Sequence, residues 1–230
     1  MKTFKEGENL RFLRKYQHGL VITIYALIYF LLFQYIEQRP IYQYHVIHAV
    51  FDDYIPFCEY FIIPYLLWFP YMFGAVAYFI FWNDNKQEYY QLTKNLIMGM
   101  TIFLIVSFVY PNGHLLRPTS FSHDNIFVHA VQWLYAADTP TNILPSIHVF
   151  NSLAVHKAIT SCQRLKKHRL IQAASWVLTI LIILSTMFLK QHSVVDVCLG
   201  ITMAVAGSLL FYREKDPAKQ PARWYVHSRM

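Results

Sequence analysis

Three short stretches in the second half of the chain carry residues able to do nucleophilic and acid–base chemistry. In Leu189-Lys190-Gln191-His192-Ser193-Val194-Val195-Asp196, His192 and Asp196 are four apart, so on a helix they share one face. A carboxylate one turn from an imidazole can accept its N–H, fix the tautomer and leave the other nitrogen free as a nucleophile or base. The same pair can also do no more than lock a helix end. In Pro145-Ser146-Ile147-His148, proline suits a first helical turn. The backbone N–H groups after it form an anion site, Ser146 adds a hydroxyl donor, and His148 could give a proton to a leaving group. Alone, this stretch reads first as a helix start with an incidental serine and an interfacial histidine. In His114-Leu115-Leu116-Arg117-Pro118, Arg117 is a fixed cation with several donors suited to phosphate, and Pro118 biases it toward extended backbone.

Together the three stretches are complementary. Arg117, Lys190, Ser146 and helix N–H groups form a cationic cradle, His192 with Asp196 an oriented imidazole, and His148 a second imidazole. That set suits in-line displacement at phosphorus, where charge on the equatorial oxygens needs cations and donors.

The elements that must position these residues are membrane helices. Of the 230 residues, 56% are hydrophobic, 17% aromatic and only 14% charged, against about 25% charged in soluble domains. Six apolar segments stand out: Tyr16–Ile36, Phe61–Trp82, Asn95–Tyr110, Ser146–Cys162, Leu170–Leu189 and Ser193–Tyr212. Most are near the length of about 20 residues that a spanning helix needs. The fourth is short and carries Asn151 and His156, polar groups that belong in a bundle interior or a wet cavity. The first follows a basic stretch but is long for a signal peptide and lacks a small-residue cleavage site, so it reads as a signal anchor. A soluble all-α bundle is disfavoured, because no span shows a polar stripe.

Lysine and arginine set the orientation. With the N-terminus in the cytoplasm, 17 of the 20 basic residues lie inside: before Tyr16, at Lys86 and Lys94, from Lys157 to Arg169 and from Arg213 on. Only Arg39, Arg117 and Lys190 lie outside. The expectation is a single all-α domain over 1–230 with six transmembrane helices, a cytoplasmic basic N-terminus (1–15) and a cytoplasmic basic tail (213–230). The net charge of +7 is then explained by loops that lean on anionic headgroups, without nucleic acid. Cys58, Cys162 and Cys198 are too widely spaced for a disulfide framework or a zinc site and read as small core residues.

Weaker features lie around these. His45 and His48 could share a helical face in the outer loop Glu37–Tyr60, with an interfacial segment favoured over a metal role. Asp52-Asp53 reads as a solvated loop in preference to an acid–base group. His156 and Asn151 could line a cavity below His148. His123, Asp124 and His129 lie in a long outer loop that shapes the substrate entrance.

The three stretches resemble the motifs of the type 2 phosphatidic acid phosphatase superfamily of six-helix membrane enzymes, which shares its site with vanadium haloperoxidases. Its motifs, K-x6-R-P, P-S-G-H and S-R-x5-H-x3-D, align with Tyr110…Arg117-Pro118, Pro145-Ser146-Ile147-His148 and Ser185-Thr186…His192…Asp196. The second half of the chain carries the likeness closely, the first half only as two spans. The departures are Tyr110 for lysine, Ile147 for glycine and Thr186 for arginine, and Lys190 could replace the lost arginine charge. The P-S-I-H run is also similar to the P-S-L-H variant of the sphingolipid synthase branch, which transfers a phospho-headgroup to a lipid alcohol.

The resemblance implies a lipid-phosphate phosphatase or phosphotransferase. His192 attacks phosphorus, Asp196 orients it, His148 serves as acid and then base, and Arg117, Ser146 and Lys190 hold the phosphate. It implies no metal or other cofactor and a phosphorylated lipid substrate, while the charge distribution puts the site on the non-cytoplasmic face and the compact form of the chain points to a bacterial cytoplasmic membrane. An alternative of another class is a non-catalytic lipid-binding relative or an anionic-lipid transporter that uses the histidines for proton coupling.

Overall fold

Long apolar runs can satisfy their backbone in lipid only as helices or closed barrels, and this chain uses helices. The computed structural model describes residues 15–40 and 43–213. Most of the basic N-terminus and the tail beyond Arg213 lie outside the described residues. The helices are α1 (Leu20–Gln38), a short α2 (Val50–Tyr54), α3 (Ile62–Phe81), α4 (Lys86–Val109), α5 (Ile126–Ala137), α6 (Ile147–Ser161), α7 (Arg169–Phe188) and α8 (Val194–Phe211). Five helical stretches are long and apolar enough to cross a membrane: Gln17–Gln38, Glu59–Phe81, Lys86–Val109, Arg169–Phe188 and Val194–Phe211. Apolar side chains such as Leu27, Phe30, Phe73, Val109 and Leu209 are exposed along them, as an integral membrane protein requires.

The fourth expected span, Ser146–Cys162, does not join the five. Its helix α6 has 15 residues, about 22 Å at 1.5 Å per residue, short of a hydrocarbon core of about 30 Å. It is the axis of the bundle, packed against α3, α4, α7 and α8. A helix sheathed by others need not be apolar, and Asn151, Ser152 and Ala154 are all buried.

The close fit relies on glycines. A Cβ on Gly99 of α4 would lie 2.0 Å from the Phe150 ring, and one on Gly200 of α8 would lie 2.8 Å from the Ser146 carbonyl oxygen. Such small residues let helix backbones approach without a hydrophobic drive between them.

Other expectations are corrected. The third span starts at Lys86, not Asn95, because Asn85 caps it by accepting from Gln87 N–H, so Lys86 and Lys94 are helical. The long loop after α4 contains α5, whose Asn125 cap accepts from Phe127 and Val128 N–H. His45 lies in a two-residue strand, β1 (His45–Val46), paired in parallel with β2 (Asn112–Gly113), and shares no helical face with His48. Its ring stacks on Tyr110 at 4.1 Å. Of the cysteines only Cys162 is buried; Cys198 is exposed. His156 meets the Ser175 hydroxyl at 2.9 Å.

Candidate active site

Four helix ends converge at one end of the bundle: the C-termini of α4 and α7 and the N-termini of α6 and α8. The chain between α7 and α8 carries His192, and two capping devices shape it. Gln191 N–H bonds to the Thr186 carbonyl (2.9 Å) and Lys190 N–H to that of Met187 (2.9 Å), the paired bonds of a Schellman motif. The C′ position of that motif favours glycine, yet it is Lys190, at φ 52°. The ammonium of Lys190 donates to the Asp52 carbonyl (2.7 Å), a contact glycine could not make. Ser193 then caps α8. Its hydroxyl accepts from Val195 N–H (3.2 Å), while Asp196 Oδ2 accepts from Ser193 N–H (3.1 Å), a capping box.

Within this frame Asp196 Oδ2 also accepts from His192 Nδ1–H (2.7 Å). Both roles read from the four-residue spacing are therefore filled by one oxygen. With its proton on Nδ1, His192 presents Nε2 as a lone pair, and Nε2 lies 3.4 Å from His148 Nδ1. That contact needs one donor, which is His148 Nδ1 when His192 carries its proton on Nδ1. The line Asp196, His192, His148 places a ring nitrogen able to attack beside one able to carry a proton. Asp196 is fully buried and His192 nearly so. Burial, reinforced by the Arg117 charge, pushes His192 down to about 3, against a backbone hydrogen bond at Ile143 that raises it. The ring is neutral at physiological pH, as a nucleophile must be.

His148 stands in the first turn of α6, packed between Tyr65 (4.8 Å) and Trp68 (4.6 Å) of α3. Ser146 is the N-cap of α6. Its hydroxyl accepts from Val149 N–H (3.4 Å), which leaves its own O–H to donate, and its N–H bonds to the Asp196 carbonyl (3.1 Å). That last bond ties the two histidine-bearing helix starts together.

The cations are engaged with the protein. Arg117 donates to the Tyr135 carbonyl (3.1 Å) and the Gln191 side-chain oxygen (2.5 Å), and its guanidinium covers the Tyr135 ring at 4.4 Å. Its Nε is buried with no partner. Asp138, pushed up to about 6 by burial and held back by Arg117, accepts from the Gln191 amide (3.4 Å). His114 Nδ1 accepts from Leu116 N–H (3.1 Å), and burial drives this ring down to about 3. Thr186, at the arginine position, points its hydroxyl back to the Ile183 carbonyl (2.7 Å). Among the described residues no group of three or more His, Cys, Asp or Glu side chains is arranged to hold a metal.

Asp52, expected in a solvated loop, is 2% exposed and reaches the turn between α7 and α8; Asp53 is the exposed one, paired with His48 at 2.9 Å. Gln191, Tyr65 and Trp68 were likewise not singled out from the sequence. Only Gln191 had a signal, its place beside His192.

Comparisons with curated proteins and with solved structures return no match. Residues 115–218, which include Arg117, Ser146, His148, Lys190, His192 and Asp196, match the family model of the PAP2 superfamily.

Proposed function

We propose that the protein belongs to the PAP2 superfamily and is a membrane enzyme that cleaves the phosphate ester of a lipid through a phosphohistidine. The observation that carries this reading is the line from Asp196 through His192 Nε2 to His148, inside the segment that matches the family. His192 Nε2 attacks phosphorus, the ester P–O bond breaks, and His148, protonated on both ring nitrogens once the anionic substrate is bound, gives its Nδ1 proton to the departing lipid alkoxide and is left as neutral imidazole. Asp196 stabilises the positive ring of the phosphohistidine. His148, now able to accept, takes a proton from water, whose oxygen displaces His192 and releases inorganic phosphate. Arg117, Ser146 and Lys190 hold the phosphate oxygens, with Lys190 standing in for the cation missing at Thr186. The distribution of Lys and Arg supports six spans, with α6 as the fourth, cytoplasmic termini and a site on the non-cytoplasmic face.

A second reading is transfer of the phosphoryl or phospho-headgroup to a lipid alcohol in place of water. The packing of His148 between Tyr65 and Trp68 supports it, because an apolar surround disfavours water beside the base.

Phosphate release from a panel of lipid phosphates in detergent, with lipid products followed and His192→Ala as control, tests both. Released phosphate that disappears in the variant supports hydrolysis; a new headgroup-bearing lipid without free phosphate supports transfer. Neither product from any lipid leaves the non-catalytic or transport reading.

A further inference from the structure

The turn that carries His192 is held from a point 141 residues earlier in the chain. Three donors converge on the two oxygens of the buried Asp52 carboxylate. The Ser193 hydroxyl (2.6 Å) and Ala49 N–H (2.8 Å) give to Oδ2, and Val194 N–H (2.8 Å) gives to Oδ1. The Asp52 carbonyl takes the Lys190 ammonium at 2.7 Å. One residue therefore fastens the turn on both sides of His192, at 190 and at 193–194. Ser193 also joins two carboxylates, since its hydroxyl gives to Asp52 while its N–H gives to Asp196 Oδ2, the oxygen that accepts from His192. The first turn of α8 is already capped by Ser193 and Asp196, so a helix start alone does not require Asp52. Nor would an amide serve: with donors on both oxygens, an asparagine NH2 must face an N–H whichever way it is turned.

We propose that Asp52 is a positioning residue for phosphoryl transfer, gripping the 190–194 turn through Ser193, Val194 and Lys190 so that His192 Nδ1 stays on Asp196 and Nε2 stays aimed at phosphorus. The inference rests on the nucleophile reading of His192. It makes the short helix α2, which lies outside the three motifs and before the segment matching the family, part of the machinery.

The test compares Asp52→Asn, Ser193→Ala and the double variant with wild type for kcat, KM and thermal stability. It also follows the His192 Nδ1–H proton by NMR of histidine-labelled protein in detergent. A misplacement of about 1 Å can cost about 100-fold in rate. Each single variant is expected to lose about 10- to 100-fold in kcat with little change in KM. The double variant should lose no more than the worse single, because both cut one link. The His192 proton signal should shift or broaden in each. Ser193→Ala removes only the hydroxyl, so it decides the matter if Asp52→Asn does not fold. Wild-type kcat with an unmoved His192 signal overturns the proposal. So do losses that multiply in the double variant and track thermal stability with that signal unmoved, the mark of a cap alone. Turnover that survives His192→Ala overturns the nucleophile reading instead, and the proton signal then still reports whether Asp52 grips the turn.

Discussion

Replacing Asp196 with asparagine separates charge from geometry at the centre of the site. Asp196 Oδ2 receives both His192 Nδ1–H and Ser193 N–H, while Oδ1 is buried without a partner. An asparagine that keeps its oxygen at the Oδ2 position retains both bonds and points its amide at the empty side. The tautomer of His192 and the capping box then survive, and the variant should melt close to wild type. What is lost is negative charge beside a ring that becomes cationic in the proposed phosphohistidine. Hydrogen bonds to charged groups contribute about 1.5–3 kcal/mol, against about 0.5–1.5 for neutral ones. With additional through-space charge stabilisation in a dry site, the loss is about 2–3 kcal/mol of transition-state stabilisation, or about 30- to 160-fold in kcat. Steady-state phosphate release, with tryptophan fluorescence melting as the control, measures both. An asparagine variant with wild-type kcat would falsify the orienting and charge-stabilising role of Asp196; one that fails to fold would show that the cap needs the charge.

Three further outcomes are expected. Lys190→Gly relieves a left-handed backbone but removes the ammonium, so stability should hold or rise while phosphate or vanadate affinity falls; unchanged affinity removes Lys190 from the phosphate cradle. Gly200→Ala should destabilise by about 1–3 kcal/mol and depress activity with it, because the new methyl meets the Ser146 carbonyl 2.8 Å away; a neutral melting shift would refute the tight α6–α8 contact. Asp138 is raised in the folded state to about 6, so its contribution to stability is present at low pH and lost as pH rises through about 6. Asp138→Asn should therefore melt higher than wild type at pH 7 and flatten the pH dependence between about 4 and 7, checked by melting across that range.

The parts of the fold legible in the sequence are those that lipid selects. Segments that became α1, α3, α7 and α8 face the bilayer and had to be apolar, so composition marked them. Helix α6 was marked least because four helices surround it, which removes the demand for apolar residues and admits Asn151 and Ser152. The start of α4 was misjudged for a similar reason: Lys86 to Lys94 is polar helix, and hydropathy does not register it, although Asn85 is an ordinary cap signal. In the site, the four-residue spacing of His192 and Asp196 was readable because both lie within one turn. Asp52, Tyr65 and Trp68 reach the same site across 80 or more residues of sequence, and such contacts leave no local pattern. The Asn112 side chain is similar, accepting from Ile143 and Leu144 N–H at 3.0 Å each and so setting the chain that leads into Pro145.

Where this chain departs from the PAP2 motifs it resembles, charge is managed differently. A site that keeps free cations for phosphate must hold them apart in a poorly solvating surround, at a cost. Here the number of cations is reduced, Tyr110 and Thr186 contributing none, and each one that remains has a resting acceptor: Gln191 and the Tyr135 carbonyl for Arg117, the Asp52 carbonyl for Lys190. In the proposed reaction an arriving phosphate does not meet empty charges but exchanges places with these acceptors. Gln191 stands at the centre of that exchange, since it accepts from Arg117 and donates to Asp138 one residue before the nucleophile. Replacing Gln191 with glutamate puts a carboxylate on Arg117 that phosphate must outcompete, while leaving His192 and Asp196 as they are. The expected result is a KM raised well beyond any change in kcat, and a vanadate affinity lowered in parallel. Equal KM values for the two proteins would mean that phosphate does not displace the Gln191 contact, and that Arg117 serves to brace the 189–192 turn against Tyr135 instead of binding substrate.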